Sequence, residues 1–139
     1  MHAIHERAVR TSCAPELGPG VVDAWLRDRD HDTFLRARDD GGEVFVIAEL
    51  RGLRVGFAGW LPGRLTSLFV DPDHQGCSIG AALLSACEVA AVAAGTPILG
   101  TNATLNARTF YEAAGYRAIG DGFEERFGER IPHIRMART

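Results

Sequence analysis

The residues best suited to chemistry lie in one short segment, 68–84, which reads LFVDPDHQGCSIGAALL. An apolar strand ends at Asp71-Pro72, a short loop follows, and an alanine-rich helix begins. The first N–H groups of a helix have no partner within it and carry partial positive charge, so they attract phosphate. The small residues Gly76, Ser78 and Gly80 would let a pyrophosphate approach the backbone closely. The segment therefore predicts a site for a phosphorylated cofactor.

The composition indicates one soluble globular domain over residues 1–139. Hydrophobic residues make up 46% of the chain and charged residues 24%, and the net charge is −3, which favours neither nucleic acid nor a membrane as a partner. All 15 basic residues are arginine. The cysteines Cys13, Cys77 and Cys87 lack the spacing of a disulfide framework or a metal site. We therefore expect a cytoplasmic protein without a bound metal.

Periodicity and turn residues predict the elements that must position this segment. Helices are expected at 2–13, 20–28, 31–38, 77–94 and 105–114, and strands at 43–50, 53–61, 64–70, 98–101, 116–125 and 130–138. The fold class is α/β, with a mixed, mostly antiparallel central sheet flanked by helices. The strand–helix–strand unit that contains the phosphate segment should make a right-handed crossover between parallel strands.

Two motifs about 30 residues apart resemble one known family. Gln75-Gly76-Cys77-Ser78-Ile79-Gly80 is similar to the Gln/Arg-x-x-Gly-x-Gly/Ala loop of the GCN5-related N-acetyltransferases (GNAT). Residues 106–116, NARTFYEAAGY, resemble the family's second signature, Asn-Ala-x-x-Phe-Tyr-x-x-x-Gly-Phe/Tyr. The resemblance covers residues 43–138. It implies a GNAT-like domain that uses acetyl-CoA as cosubstrate and needs no metal.

The resemblance also implies roles for particular residues. The strand backbone at 68–70 would pair with the pantetheine arm and help to stabilise an oxyanion. Tyr111 would be the catalytic residue, donating a proton to the departing thiolate. The full cofactor-binding set implied by the motifs is Leu68, Phe69, Val70, Gln75, Gly76, Cys77, Ser78, Ile79, Gly80, Ala81, Asn106 and Tyr111.

Departures from the family pattern make further predictions. Ser78 replaces a glycine, and we expect it to adopt a negative φ in the first helical turn. Cys77 replaces a residue that is usually basic, and we expect it to be a neutral occupant and not a nucleophile. Thr104 stands where relatives often carry asparagine. The family's first strand, which normally precedes the segment at 2–13, is missing, so either the start is truncated or the sheet edge is completed differently. Left unpaired, the strand at 43–50 would be an exposed apolar edge, which a homodimer would cover.

The function implied is N-acetyl transfer from acetyl-CoA to a primary amine of a small molecule or peptide, by direct attack in a ternary complex. The alternative is a non-catalytic acyl-CoA-binding or regulatory module. The general base stays open among a water-mediated route and five side chains: Glu43, Glu49, Asp71, Glu124 and His133. Trp25 and Trp60 either line an acceptor pocket or belong to the core. A nucleotide-binding P-loop is excluded, because no Gly-Lys-Ser/Thr follows the glycines.

Overall fold

The computed structural model describes residues 1–13, 17–27, 31–76 and 78–139. The helices are α1 (His2–Ala8), α2 (Pro19–Leu26), α3 (His31–Asp39), α4 (Ile79–Ala93) and α5 (Arg108–Ala113). The strands are β1 (Val44–Leu50), β2 (Leu53–Leu61), β3 (Arg64–Val70), β4 (Gly100–Ala103), β5 (Tyr116–Arg126) and β6 (Glu129–Arg138). A π-helical segment, Val9–Cys13, continues α1, and 3₁₀ turns lie at Pro72–His74 and Leu105–Ala107.

The predicted order of elements is confirmed, and the differences lie at their boundaries. The helix expected at 105–114 begins as a 3₁₀ turn before α5. The strand expected at 98–101 begins two residues later, at Gly100, because the Leu99 N–H first bonds the Gly63 carbonyl at 2.9 Å. Gly115 follows α5 with a φ of +95°, which is the left-handed conformation that commonly ends a helix.

The described residues form a six-stranded sheet in the order β1-β2-β3-β4-β6-β5. Neighbouring strands are antiparallel except β3 and β4, which are parallel. This arrangement confirms the predicted mixed, mostly antiparallel sheet. Within the described residues β3 and β4 pair at Arg64–Gly100 and Leu65–Thr101. Beyond these two pairs the strands separate, and a cleft opens between them.

One edge of the sheet is β1, as the sequence predicts. Among the described residues no strand precedes α1. The apolar side chains of Val44, Ile47 and Leu50 are 43%, 40% and 44% exposed. An edge of this kind presents unpaired backbone groups together with apolar side chains.

The helices pack on opposite faces of the sheet. A Cβ on Gly56 would lie 3.0 Å from Leu83 of α4, so this backbone position faces α4. The next side chain, Phe57, points to the other face by strand alternation, where it is fully buried with Ile4 and Phe34. The α4 side of the sheet therefore contains the main core, and α1 and α3 cover the other side.

A polar contact joins α4 to the last two strands. The Tyr116 hydroxyl donates to Glu88 Oε2 at 3.0 Å, and Arg138 Nε lies 2.8 Å from the same oxygen. Burial, together with the neighbouring Glu88 carboxylate, raises the pKa of Tyr116. The phenol therefore keeps its proton and can donate it to Glu88.

Candidate functional site

A cavity of about 970 Å³ extends along the cleft between β3 and β4. Both faces of the sheet contribute to it, because residues of α1, α2 and α3 line it as well as residues of α4 and α5. The structure brings to this one cavity eleven of the twelve residues of the sequence-derived cofactor set: Leu68, Phe69, Val70, Gln75, Gly76, Ser78, Ile79, Gly80, Ala81, Asn106 and Tyr111. The twelfth, Cys77, lies outside the described residues.

The loop before α4 adopts the conformation that its small residues permit. Gly76 has a φ of +81°, and Ser78, the N-cap of α4, has a φ of +61°. The expectation of a negative φ at Ser78 was therefore wrong. The serine lies before the first helical turn and not within it, and the chain enters the helix through a left-handed residue. No side chain of the described residues caps α4, so its first N–H groups remain available to an anion.

The N-terminal helical segment holds this loop in place. The Asp71 carboxylate accepts from the Asp73 N–H at 2.9 Å, and Arg7 of α1 contacts both carboxylates, reaching Asp73 at 2.8 Å. Gln75 Nε2 donates to Ser12 Oγ at 2.8 Å. Sequence reasoning missed Arg7 and Ser12, because nothing in the local sequence links them to a loop more than 60 residues away.

Tyr111 lies on α5 at the inner end of the cavity. Its side chain is 4% exposed and contacts the rings of Phe110 and Tyr116, with centroids 5.0 and 5.5 Å away. Burial raises the pKa of Tyr111 and Tyr116 adds to the effect, while a hydrogen bond with the Thr101 side chain opposes it. The phenol is therefore protonated at neutral pH and chemically able to donate a proton.

Asn106 lies near Tyr111 in the 3₁₀ turn, and it lines the cavity. The sequence equally allows Asn106 to cap or brace its helix instead of contacting the cofactor. The structure places Thr104 and Ala107 at the N-cap positions of the 3₁₀ turn and of α5, so Asn106 caps neither. Thr104 lines the cavity as well.

The structure separates the candidate bases into two groups. Three of the candidates line the cavity: Glu43, Glu124 and His133. Glu43 is far in sequence from the other two. Glu49 is exposed and lies 3.9 Å from Arg54, and Asp71 is engaged with Arg7. Partial burial and Arg135 lower the pKa of His133, whereas the Glu124 carboxylate opposes the shift.

The two tryptophans lie in different places, one at the cavity and the other in the core. Trp25 of α2 lines the cavity on the α1–α3 face, as one interpretation of the sequence predicts. Trp60 is 6% exposed and belongs to the core beside Leu65 and Leu84. His5 and Phe34 also line the cavity. Sequence reasoning missed both, because each lies on a helix whose position on the sheet cannot be deduced locally.

The described residues contain neither a metal-binding cluster nor a membrane-spanning helix. No three His, Cys, Asp or Glu side chains in the described part of the chain are grouped closely enough to hold a metal ion. Among the described helices, none is long and apolar enough to cross a membrane.

Comparison with solved structures places the chain among acetyltransferases. A GCN5-related N-acetyltransferase from Rhodopseudomonas palustris is 30% identical with a TM-score of 0.90, and the match covers 99% of this chain and 86% of that one. PaiA N-acetyltransferase from Thermoplasma acidophilum, solved with coenzyme A, is 16% identical with a TM-score of 0.70 and coverages of 99% and 90%. An aminoglycoside 6′-N-acetyltransferase complexed with coenzyme A is 15% identical, with a TM-score of 0.62 and coverages of 99% and 89%.

The family is shown by sequence as well. The acetyltransferase (GNAT) domain model matches residues 13–139. A comparison with curated protein sequences found no significant match. The chain belongs to the GNAT family of acetyltransferases, as the two motifs predict.

Proposed function

We propose that the protein transfers an acetyl group from acetyl-CoA to a primary amine. The observation that carries the proposal is the continuity of one cavity from the uncapped start of α4, along β3, to Tyr111. Two of the similar structures contain coenzyme A. The loop fits such a cosubstrate, because its glycines and free N–H groups suit a pyrophosphate. The separated edge of β3 suits an extended amide-containing arm.

Different groups of the chain bind the cosubstrate, stabilise the oxyanion and transfer the protons. Backbone N–H groups at 76–81 bind the pyrophosphate, and the free edge at 68–70 pairs with the pantetheine arm. A backbone N–H of β3 stabilises the negative charge that develops on the thioester oxygen when the amine nitrogen attacks the carbonyl carbon. The carbon–sulfur bond then breaks, and the Tyr111 hydroxyl protonates the departing thiolate. Glu43, Glu124, His133 or a water molecule takes the proton that the amine loses.

Thiol release from acetyl-CoA with a panel of primary amines tests this proposal. The wild-type protein should release one thiol for each amide formed. Tyr111→Phe should lower kcat by about 100-fold or more, with coenzyme A still bound, because the ring remains while the proton donor is lost. Equal kcat in the two proteins would contradict the assigned role of Tyr111.

A second candidate function is a non-catalytic acyl-CoA-binding module. The specific observation in its favour is that β3, which reads RLTSLFV, carries no carboxylate that could act as a base beside the thioester. Binding of coenzyme A without thiol release on any amine would favour the module over the enzyme. Gly80→Glu should abolish binding in either case, because a carboxylate in the phosphate loop would repel the pyrophosphate. Cys77→Ala should leave it nearly unchanged.

The single domain, the cytoplasmic location and the homodimer remain predictions. The exposed apolar edge β1 supports a homodimer, since a second chain would cover it. Sedimentation of the purified protein across a concentration series measures this directly. A mass of one chain at all concentrations would contradict it.

A further inference from the structure

The half of the cavity on the α1–α3 face has an aromatic wall. His5 lies within ring-contact distance of Trp25, Phe34 and Phe69, with centroids 6.0, 5.8 and 4.7 Å away and interplanar angles of 80°, 70° and 81°. All four rings line the cavity. Such edge-to-face arrangements are the geometry that aromatic rings prefer. A further aromatic ring can therefore pack against this wall in the same manner.

This wall lies across the sheet from the phosphate loop. Leu68 points to the α4 face, where its Cδ2 lies 3.7 Å from the position of a Cβ on Gly80. The next residue, Phe69, points to the α1–α3 face by strand alternation. The rings therefore lie on the side from which an acceptor would meet a thioester held along β3.

The carboxylate of Glu43 lies on the same side. Glu43 lines the cavity, and within the part of the chain that the structure describes it forms no ion pair. It lies two residues before Phe45, whose ring contacts Phe34 at 6.0 Å on the α1–α3 face. Arg64 also lines the cavity but is exposed, so water screens its charge. A cation that enters this half meets Glu43 as its counter-charge.

Two buried hydroxyls lie where the two halves meet. Thr66 Oγ1 and Ser67 Oγ have no hydrogen-bond partner among the described residues, and both line the cavity. Each lies 2.9 Å from the position that a Cβ on Gly59 would take, which places the two hydroxyls close together. Thr66 of β3 is not paired with any residue of β2, since Gly59 pairs with Ser67 and Trp60 with Leu65. A buried hydroxyl left without a partner costs free energy, which a hydrogen bond to a bound amine or to a water molecule would offset.

We propose that this half of the cavity binds a primary amine attached to an aromatic ring, that is, an arylalkylamine. The inference rests on the proposed function. The substrate ring packs against Trp25, Phe34 and Phe69, Glu43 attracts the ammonium, and the Thr66 and Ser67 hydroxyls hydrogen-bond the nitrogen beside β3. An amino sugar fits less well, because its hydroxyls would be buried against rings without partners. A polyamine fits less well, because its further ammonium groups would lose water at this wall without a second carboxylate to pair with.

Acetylation rates across four amines test the substrate class. Each of 2-phenylethylamine and tryptamine should have a kcat/KM at least about tenfold above that of ethanolamine or spermidine, through burial of the ring. Ethanolamine or spermidine at an equal or higher kcat/KM would overturn the inference and leave the proposed function intact. Absence of thiol release with all amines, arylalkylamines included, would contradict the proposed function and this inference with it.

Two pairs of variants test the assigned residues with 2-phenylethylamine as the probe. Glu43→Gln should raise KM about tenfold, because the ammonium loses its counter-charge. Its matched control is Glu49→Gln, an exposed carboxylate on β1 that lies outside the cavity, which should leave KM and kcat unchanged. Trp25→Ala should lower kcat/KM about tenfold for 2-phenylethylamine but not for ethanolamine. Trp25→Phe should retain most of the wild-type kcat/KM for 2-phenylethylamine. Identical behaviour of Glu43→Gln and Glu49→Gln would overturn the role of Glu43, and this result does not depend on how well Trp25→Ala folds.

Discussion

At the scale of single residues, His133 shows how burial affects the ability of a side chain to act as the base. Its imidazole lines the same cavity as Tyr111, and partial burial lowers its pKa. A base must be unprotonated before it can accept the amine proton. A lowered pKa therefore makes His133 more available at neutral pH.

A nuclear magnetic resonance titration of the ring protons measures this shift. We expect the His133 midpoint below 6.5, assigned by the signal that disappears in His133→Gln. Because the folded-state pKa is lowered, the folded protein loses stability as the pH falls from 6.5 through that midpoint, and the loss should be smaller in His133→Gln. A midpoint at or above 6.5 would contradict the effect of burial.

The sequence alone identifies candidate residues for the site, but it does not show which of the candidate bases line the cavity. The phosphate loop and Tyr111 belong to local motifs, and their positions follow from a strand–loop–helix and a short helix. Glu43, which precedes β1, lines the same cavity as Glu124 of β5 and His133 of β6 only because the strand order brings these elements around it. This arrangement depends on strand order and register, which no local pattern specifies.

At the scale of elements, the start of α4 shows where a local rule failed. A glycine motif predicts the loop, but the helix boundary lies two residues later than expected, at Ile79. Ser78 thus falls outside the helix, with a left-handed φ of +61°. Boundaries of this kind depend on the path of the incoming loop, which Arg7 and Ser12 hold from another part of the chain.

Replacement of Ser78 by glycine should therefore stabilise the protein. A left-handed conformation costs a non-glycine residue about 1 kcal/mol, and glycine removes that cost. We expect Ser78→Gly to raise the free energy of unfolding in urea by up to about 1 kcal/mol and to preserve binding of coenzyme A.

The matched control is the same substitution in the middle of the helix. Ser85 is exposed on α4 in a right-handed helical conformation. Ser85→Gly should lower the free energy of unfolding by about 0.5 kcal/mol, because glycine has the poorer helix propensity. A loss of stability in both variants would argue against strain at Ser78.

At the scale of the whole molecule, Glu88 joins parts of the chain that the cleft separates. It lies on α4, which packs on β1–β3, and it accepts from Tyr116 of β5 and contacts Arg138 of β6. Glu88→Ala should lower the free energy of unfolding by about 1–3 kcal/mol, because the partly buried phenol loses its acceptor. Chemical denaturation measures the change.

The control for this prediction is an ion pair on the surface. Glu112 lies 3.5 Å from Arg108 one helical turn away on α5, and both side chains are about half exposed. Glu112→Ala should cost no more than about 0.5 kcal/mol. Similar losses in Glu88→Ala and Glu112→Ala would show that the contact with Tyr116 and Arg138 adds little.

The separation of β3 from β4 has a consequence for hydrogen exchange. With two paired positions between them, β1-β2-β3 and β4-β6-β5 are two half-sheets that share a core but few backbone bonds. Amides of β3 that point away from β2 should exchange rapidly with solvent in the free protein, since they have no strand beside them. A pantetheine arm in the cleft would slow that exchange at residues 68–70 and raise the cooperativity of unfolding. The cosubstrate would then serve as a seventh strand.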